Sequence, residues 1–246
     1  AAESLGLVLA GSSVDYAPGY APPAKLACRL IMVPHGQTPS NVGLLFQSHA
    51  DGGPDQTLTE SGVEMARRGA AAFAEDFGPE LRAGPDRWAF YRSPLSRTAQ
   101  TAAQYEATLA EAGIPVASPG VDARLIEIDA GSWHGFTVDG LAAAGRAEDA
   151  EAAAAYRGGS FLARPLDGSG ESLLELIARA AEWLRELQGR HAAGDTVVVF
   201  GHGTFQNAVE VLLRCYPEKS PAQVFSRVSG GSHLRRGEAH LLVAGQ

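Results

Sequence analysis

Two histidines of this chain sit in matching settings. His35 follows the apolar run Leu26–Val33 and Pro34 and precedes Gly36; His202 follows Thr196–Phe200 and lies between Gly201 and Gly203. Each run reads as a buried strand, and in an open α/β sheet the residues just past the carboxyl ends of strands line the ligand crevice. The two rings can therefore face each other although most of the chain separates them, and the flanking glycines let backbone approach closely. A neutral imidazole is a good nucleophile near pH 7, and a carboxyl group can act as its acid partner.

The elements that would position this pair can be read along the chain. Residues 1–24 predict an arm without regular structure, because Gly11-Ser12-Ser13, Pro18, Gly19, Pro22 and Pro23 leave no room for an element. Leu26–Val33 predicts the first strand, ended by Pro34. A Gly-, Asn- and Gln-rich loop runs to Gln56. Thr59 then starts a helix with Val63, Ala66, Ala70 and Phe73 on one face, ending near Gly78. Trp88–Tyr91 predicts a second strand, and Ser93-Pro94 opens a helix to about Gly113 with proline in its first turn. Leu125–Ile128 reads as a short strand, and residues 137–170 as a lid-like insertion of helix and loop. Glu171–Gln188 predicts a strong helix, Thr196–Phe200 a parallel strand and Phe205–Cys215 another helix. Phe225–Val243 reads as short strands around a turn at Arg236-Gly237-Glu238. Strands alternating with helices predict one domain over residues 25–246, a three-layer α/β/α sandwich with a mostly parallel central sheet.

Composition narrows the function classes. The 246 residues carry a formal net charge of −8 and a pI near 5.4. Without a basic block, such a chain is a poor partner for nucleic acid or an anionic lipid surface. No apolar run reaches the 18 residues a membrane helix needs, and Leu5–Ala10 is too short and lacks the basic flank of a signal peptide. Cys28 and Cys215 lie far apart without a CxxC, which predicts two buried thiols rather than a zinc site or disulfide scaffold. The expectation is a cytoplasmic protein, possible as a homodimer, acting on a small molecule without metal or organic cofactor.

The motifs themselves carry a resemblance. Pro34-His35-Gly36-Gln37-Thr38-Pro39-Ser40-Asn41, Leu58-Thr59-Glu60-Ser61-Gly62, Ser93-Pro94-Leu95-Ser96-Arg97-Thr98-Ala99-Gln100-Thr101-Ala102, Glu127-Ile128-Asp129-Ala130-Gly131-Ser132-Trp133-His134-Gly135 and Gly201-His202-Gly203 occur in this order. With Gly170-Glu171-Ser172, they resemble the signature segments of the histidine phosphatase (phosphoglycerate mutase-like) superfamily over about residues 26–210. The resemblance implies that fold, and hydrolysis of a small phosphate monoester through a phosphohistidine. It implies that His35 takes the phosphoryl group, that Arg97 and His202 hold its oxygens, and that Glu127 protonates the leaving oxygen. Such chemistry asks little of a protein beyond in-line positioning and positive charge on the equatorial oxygens. Substrate contacts are expected from Pro34, Asn41, Gln47, Arg92, Gly203 and Thr204, and from Tyr156, Phe161 and Arg164 of the insertion.

One position departs from the resemblance: Pro34 stands where the family has an arginine, and it offers neither a guanidinium nor an N–H. Losing that charge-assisted pair would cost about 2–4 kcal/mol at the transition state, or roughly 30- to 1,000-fold in rate. Three readings follow. Another guanidinium, from Arg92, Arg157 or Arg164, enters the pocket. Alternatively, the site does acid–base chemistry on a substrate without a phosphate. Or the protein binds a ligand without turning it over. The filled positions 35, 97, 127 and 202 argue against the last.

Overall fold

The computed structural model describes residues 2–10, 13–19, 25–49, 56–114, 116–215, 219–229 and 234–245. A short hairpin comes first, β1 (Leu7–Ala10) paired antiparallel with β2 (Ser13–Tyr16). The expected structureless arm is thus a hairpin, and Leu5 and Leu7 explain it: both are buried in the main core, so the segment is held by apolar packing that its turn residues do not reveal.

The first central strand, β3 (Arg29–Pro34), begins three residues later than expected and includes Pro34 as its last residue. It is followed by a single turn, α1 (Pro39–Val42), and by the long α2 (Glu60–Ala83). Thr59 caps α2 by accepting from the Gly62 N–H at 2.9 Å. The helix runs past Gly78 and through Pro79 because Leu81 still buries beneath it, while the exposed Pro79 leaves the carbonyl it cannot bond on the water side. Next come β4 (Trp88–Arg92) and α3 (Ser96–Glu111), which starts after Leu95, so Pro94 precedes the first turn instead of occupying it.

The strand expected at Leu125–Ile128 does not form; the edge strand is β5 (Gly120–Val121). The reason is a side chain: the Arg179 guanidinium donates to the carbonyls of Arg124 (2.6 Å) and Ile126 (2.7 Å), leaving no ladder for them to join. The insertion carries α4 (Val138–Ala143) and α5 (Ala147–Arg157). Then follow α6 (Leu173–Arg190), closed at its start by a capping box between Ser172 and Glu175, and β6 (Thr196–Gly201). The chain continues through α7 (Gly203–Glu210), a π-turn over Val211–Cys215, α8 (Pro221–Ser229) and β7 (His240–Val243). The region read as strands from Phe225 is therefore helical at its start, and residues 235–238 form a turn before a lone strand. Cys28 is buried; the Cys215 side chain lies outside the described residues.

The central sheet has the order β5-β4-β6-β3-β7, parallel except for β7. Side chains alternate across it. Ile31, Val33, Val198 and Phe200 pack with Phe73 and Tyr105 of α2 and α3, whereas Leu30, Met32, Val197 and Val199 pack with α6, α7 and the insertion. Residues one apart thus face opposite helical layers, which makes the three-layer sandwich.

Two glycines tie the loop after β3 to α2. A Cβ on Gly62 would stand 2.2 Å from the Gln37 carbonyl oxygen, and one on Gly36 would stand 2.3 Å from the Gly62 oxygen. Thr59 N–H also donates to the Gln37 carbonyl at 2.9 Å. Gly62→Ala should therefore force the loop and helix apart, costing about 1–3 kcal/mol; a urea unfolding midpoint that stays at the wild-type value would refute this contact.

Candidate active site

Three adjacent parallel strands deliver their carboxyl ends to one place. In the register of β3 and β6, Pro34 lies opposite Gly201, so His35 and His202 emerge level, and Ser93 follows the end of β4 beside them. Their rings meet edge to face, with centroids 5.3 Å apart. His202 Nε2 bonds the Ser93 hydroxyl at 2.7 Å, and His35 N–H is held by the Gly201 carbonyl at 3.0 Å.

His35 Nδ1 lies 2.7 Å from the carbonyl oxygen of Gly36. A carbonyl only accepts, so Nδ1 carries the proton and the lone pair is left on Nε2. Burial, then the guanidinium charges of Arg97 and Arg236, hold the His35 pKa well below its ordinary value. Burial and Arg97 do the same to His202. Both rings are neutral at pH 7. Gly36 N–H donates to the Thr101 hydroxyl at 3.0 Å, and that hydroxyl donates to the Arg97 carbonyl at 2.8 Å, which fastens the His35 loop to the first turns of α3.

Arg97 is fully buried with Nη1 donating to Gln56 Oε1 at 2.8 Å, and its charge acts on both rings. A pocket of about 160 Å³ is lined by His35, Glu127 and the start of α7 at Gly203 and Thr204, but neither Arg97 nor His202 is among the residues that line it. Glu127 is held rigidly: Oε1 accepts from the N–H groups of Ile128 and Phe205 and Oε2 from that of Thr204, each at 3.0 Å. Its carboxylate thus caps α7, whose free N–H groups and dipole favour a negative charge.

The rim comes from two other segments. Asn41 and Gln47 reach it from the loop after β3, where Asn41 Nδ2 donates to Gln47 Oε1 at 3.4 Å and Gln47 Nε2 to the Thr38 hydroxyl at 3.2 Å. The insertion supplies Tyr156 and Arg157, packed against Phe46 and Trp133. Burial and nearby Glu127 raise the Tyr156 pKa, so it remains a phenol. Of the expected arginines, only Arg157 enters the wall. Arg92 turns back to the Ser93 carbonyl at 3.0 Å, and Arg164 pairs with Glu175 on the surface. Phe161 packs against the main core rather than lining the pocket. The residue that sequence reasoning missed is Arg236, which lines the pocket from the turn before β7. Among the described residues no cluster of three His, Cys, Asp or Glu side chains could hold a metal ion, and no helix is long and apolar enough to cross a membrane.

A mostly parallel sheet that gathers two histidines beside a buried arginine at its strand ends defines an α/β sandwich protein with its pocket at the carboxyl ends of the strands. Residues 30–227 match the histidine phosphatase superfamily (branch 1), and the chain belongs to that superfamily. Among solved structures it is similar to a mycobacterial glucosyl-3-phosphoglycerate phosphatase in complex with VO3, at 26% identity over 87% of this chain and 97% of that one, with a TM-score of 0.61. A mycobacterial hydrolase is 27% identical over 86% and 89% of the two chains, with a TM-score of 0.59. An open-reading-frame product of Mycobacterium tuberculosis shares the fold at 22% identity over 89% and 97%, with a TM-score of 0.55. Comparison with curated proteins finds no match.

The neutral histidines make stability depend on pH. In the unfolded chain His35 and His202 bind protons below about pH 6.5, whereas in the folded chain they do not. The unfolded state then holds more protons, so stability is complete above pH 6.5 and falls as pH drops, by on the order of 1 kcal/mol per pH unit for each histidine. Urea unfolding at pH 7.5 and 5.5 should show this loss, and His35→Gln should reduce it; a slope identical in the variant would remove His35 from the account.

Proposed function

We propose that the protein hydrolyses a small phosphate monoester through a phosphohistidine on Nε2 of His35. The observation that carries this reading is the fixed tautomer: the Gly36 carbonyl takes the Nδ1 proton and leaves the Nε2 lone pair on a buried ring near guanidinium groups. In the first step Nε2 bonds phosphorus as the ester P–O bond breaks, and the Glu127 carboxylate passes the proton of the monoanionic ester to the leaving oxygen. In the second, water attacks phosphorus, the P–N bond breaks, and Glu127 takes the water proton and passes it to the released phosphate. In this reading the Arg97 charge and His202, both beside His35, steady the equatorial oxygens, while Gly203 and Thr204 line the pocket with Glu127. The superfamily and the similarity to a phosphatase and a hydrolase support this reading.

Acid–base chemistry on an uncharged molecule would suit a pocket stripped of cations at position 34. Arg157 and Arg236 in the wall weigh against it. The size of the pocket and its aromatic side, Phe46, Trp133 and Tyr156, suit a monoester whose carbon part packs against rings.

Two variants test the roles. His35→Ala should lower turnover of a phosphate-monoester panel by ~10³-fold or more with an unchanged thermal midpoint; activity within tenfold of wild type sinks the nucleophile. Glu127→Gln should slow alkyl phosphates by roughly 10²- to 10⁴-fold and an aryl phosphate, whose leaving group needs no proton, far less. Equal losses on both would remove Glu127 as the acid.

A further inference from the structure

The turn before β7 presents two neighbouring arginines in opposite ways. Arg235 is exposed and pairs with Glu238 at 3.0 Å, whereas Arg236 lines the pocket that holds His35 and Glu127. The Arg236 guanidinium makes no hydrogen bond or ion pair among the described residues. Burial pulls its pKa down, with the charge of Glu127 opposing the shift. A half-withdrawn cation with no partner among the described residues, beside His35, is costly unless a ligand completes it.

The placement of that cation is built in. Gly237 N–H donates to the carbonyl of Pro34 at 2.8 Å, and the Tyr105 hydroxyl donates to the Gly237 carbonyl at 2.8 Å. Gly237 has φ +74°, and a Cβ there would stand 2.7 Å from the Met65 carbonyl carbon. On the opposing side, a Cβ on Gly69 would stand 1.8 Å from the Gly237 oxygen. The turn is therefore clamped between α2, α3 and the end of β3, with only glycine at both points of close approach. Position 34, which has no guanidinium to offer, holds through its own carbonyl the turn that carries one.

We propose that Arg236 is a phosphate-binding residue, supplying from the turn before β7 the guanidinium that position 34 does not provide. This rests on the phosphatase reading given above and deepens it. Arg97, buried on α3, and Arg236, in the pocket wall, both bring their charge to bear on His35, so the nucleophile lies within the field of two cations from different elements. A planar guanidinium suits this task because it can bond two oxygens at once. The charge enters from a late segment of the chain, so the geometry it imposes on the rest of the substrate differs from one in which the residue before the nucleophile supplies it.

The test uses the intact protein and two readouts: binding of inorganic phosphate and of orthovanadate by calorimetry, and kcat/KM on p-nitrophenyl phosphate. Arg236→Met should weaken binding of both anions at least tenfold and lower kcat/KM by roughly 30- to 1,000-fold, with a ligand-free thermal midpoint at or above that of wild type. Arg236→Lys, which keeps the charge but loses the fork, should recover part of the loss. Adding Pro34→Arg to Arg236→Met should recover activity further if the added side chain folds in; the single variants decide the matter if it does not. The proposal is overturned if Arg236→Met binds and turns over like wild type while His35→Ala is inactive, an outcome that leaves the phosphatase reading standing. It also falls, together with that reading, if the wild-type protein binds neither anion. Binding that depends on Arg236 in a protein without turnover would uphold the anion site and sink only the hydrolysis.

Discussion

The pairing of β3 with β6 is the constraint on which the site depends. With Pro34 opposite Gly201, both histidines leave the sheet at the same height and on the same edge. A slip of one residue would turn Ile31 and Val33 to the layer now filled by α6 and α7 and would expose Leu30 and Met32 to α2 and α3. It would also separate the two rings by a strand step. The hydrophobic pattern that fixes the register therefore fixes the placement of the two rings as well, without either histidine contributing to the choice.

The electrostatics follow from that placement. His35 and His202 are buried without carboxylate partners, so they are held as uncharged rings, and the positive potential at the strand ends comes from arginines, which keep their charge across the physiological range. The division has a purpose in phosphoryl chemistry. A protonated imidazole would attract an anion yet could not attack it; under the proposed reaction, attraction and attack belong to different side chains. Glu127 adds the opposite sign at the far wall, and the backbone donors at the start of α7 keep it from folding onto the arginines.

The central strands, the two histidines and α2, α3 and α6 were legible because local patterns specify them: alternating or continuous apolar runs, Thr59 and Ser172 as caps, and glycine beside each histidine. The fold class followed from these, and the superfamily from the resemblance of the motif segments around His35, Arg97, Glu127 and His202. Other parts were decided by contacts distant in sequence. Leu125–Ile128 has strand-like composition, yet Arg179 takes its carbonyls. The hairpin at residues 7–16 exists because Leu5 and Leu7 find a core, which no local pattern announces. Pro79 sits in mid-helix because Leu81 buries one turn further on. Arg236 shows the limit most clearly: in sequence it is an arginine in a glycine turn, and contacts of Gly237 with Pro34, Tyr105 and α2 bring it to the pocket beside His35.

The order of the strands also bears on how the protein is made. β3 is the earliest strand of the central sheet, yet both of its neighbours, β6 and β7, lie near the other end of the described chain. As the ribosome delivers the polypeptide, the run Leu30–Val33 must wait with both edges unpaired while nearly all of the remaining chain is synthesised. Such long-range closure is slow, and an unpaired apolar strand invites association with other nascent chains. A polypeptide arrested before residue 196 would hold His35 on an open edge, facing neither His202 nor Arg236. Demand on chaperones should thus be greatest during elongation, and any competence for chemistry arises only after the closing strands have emerged.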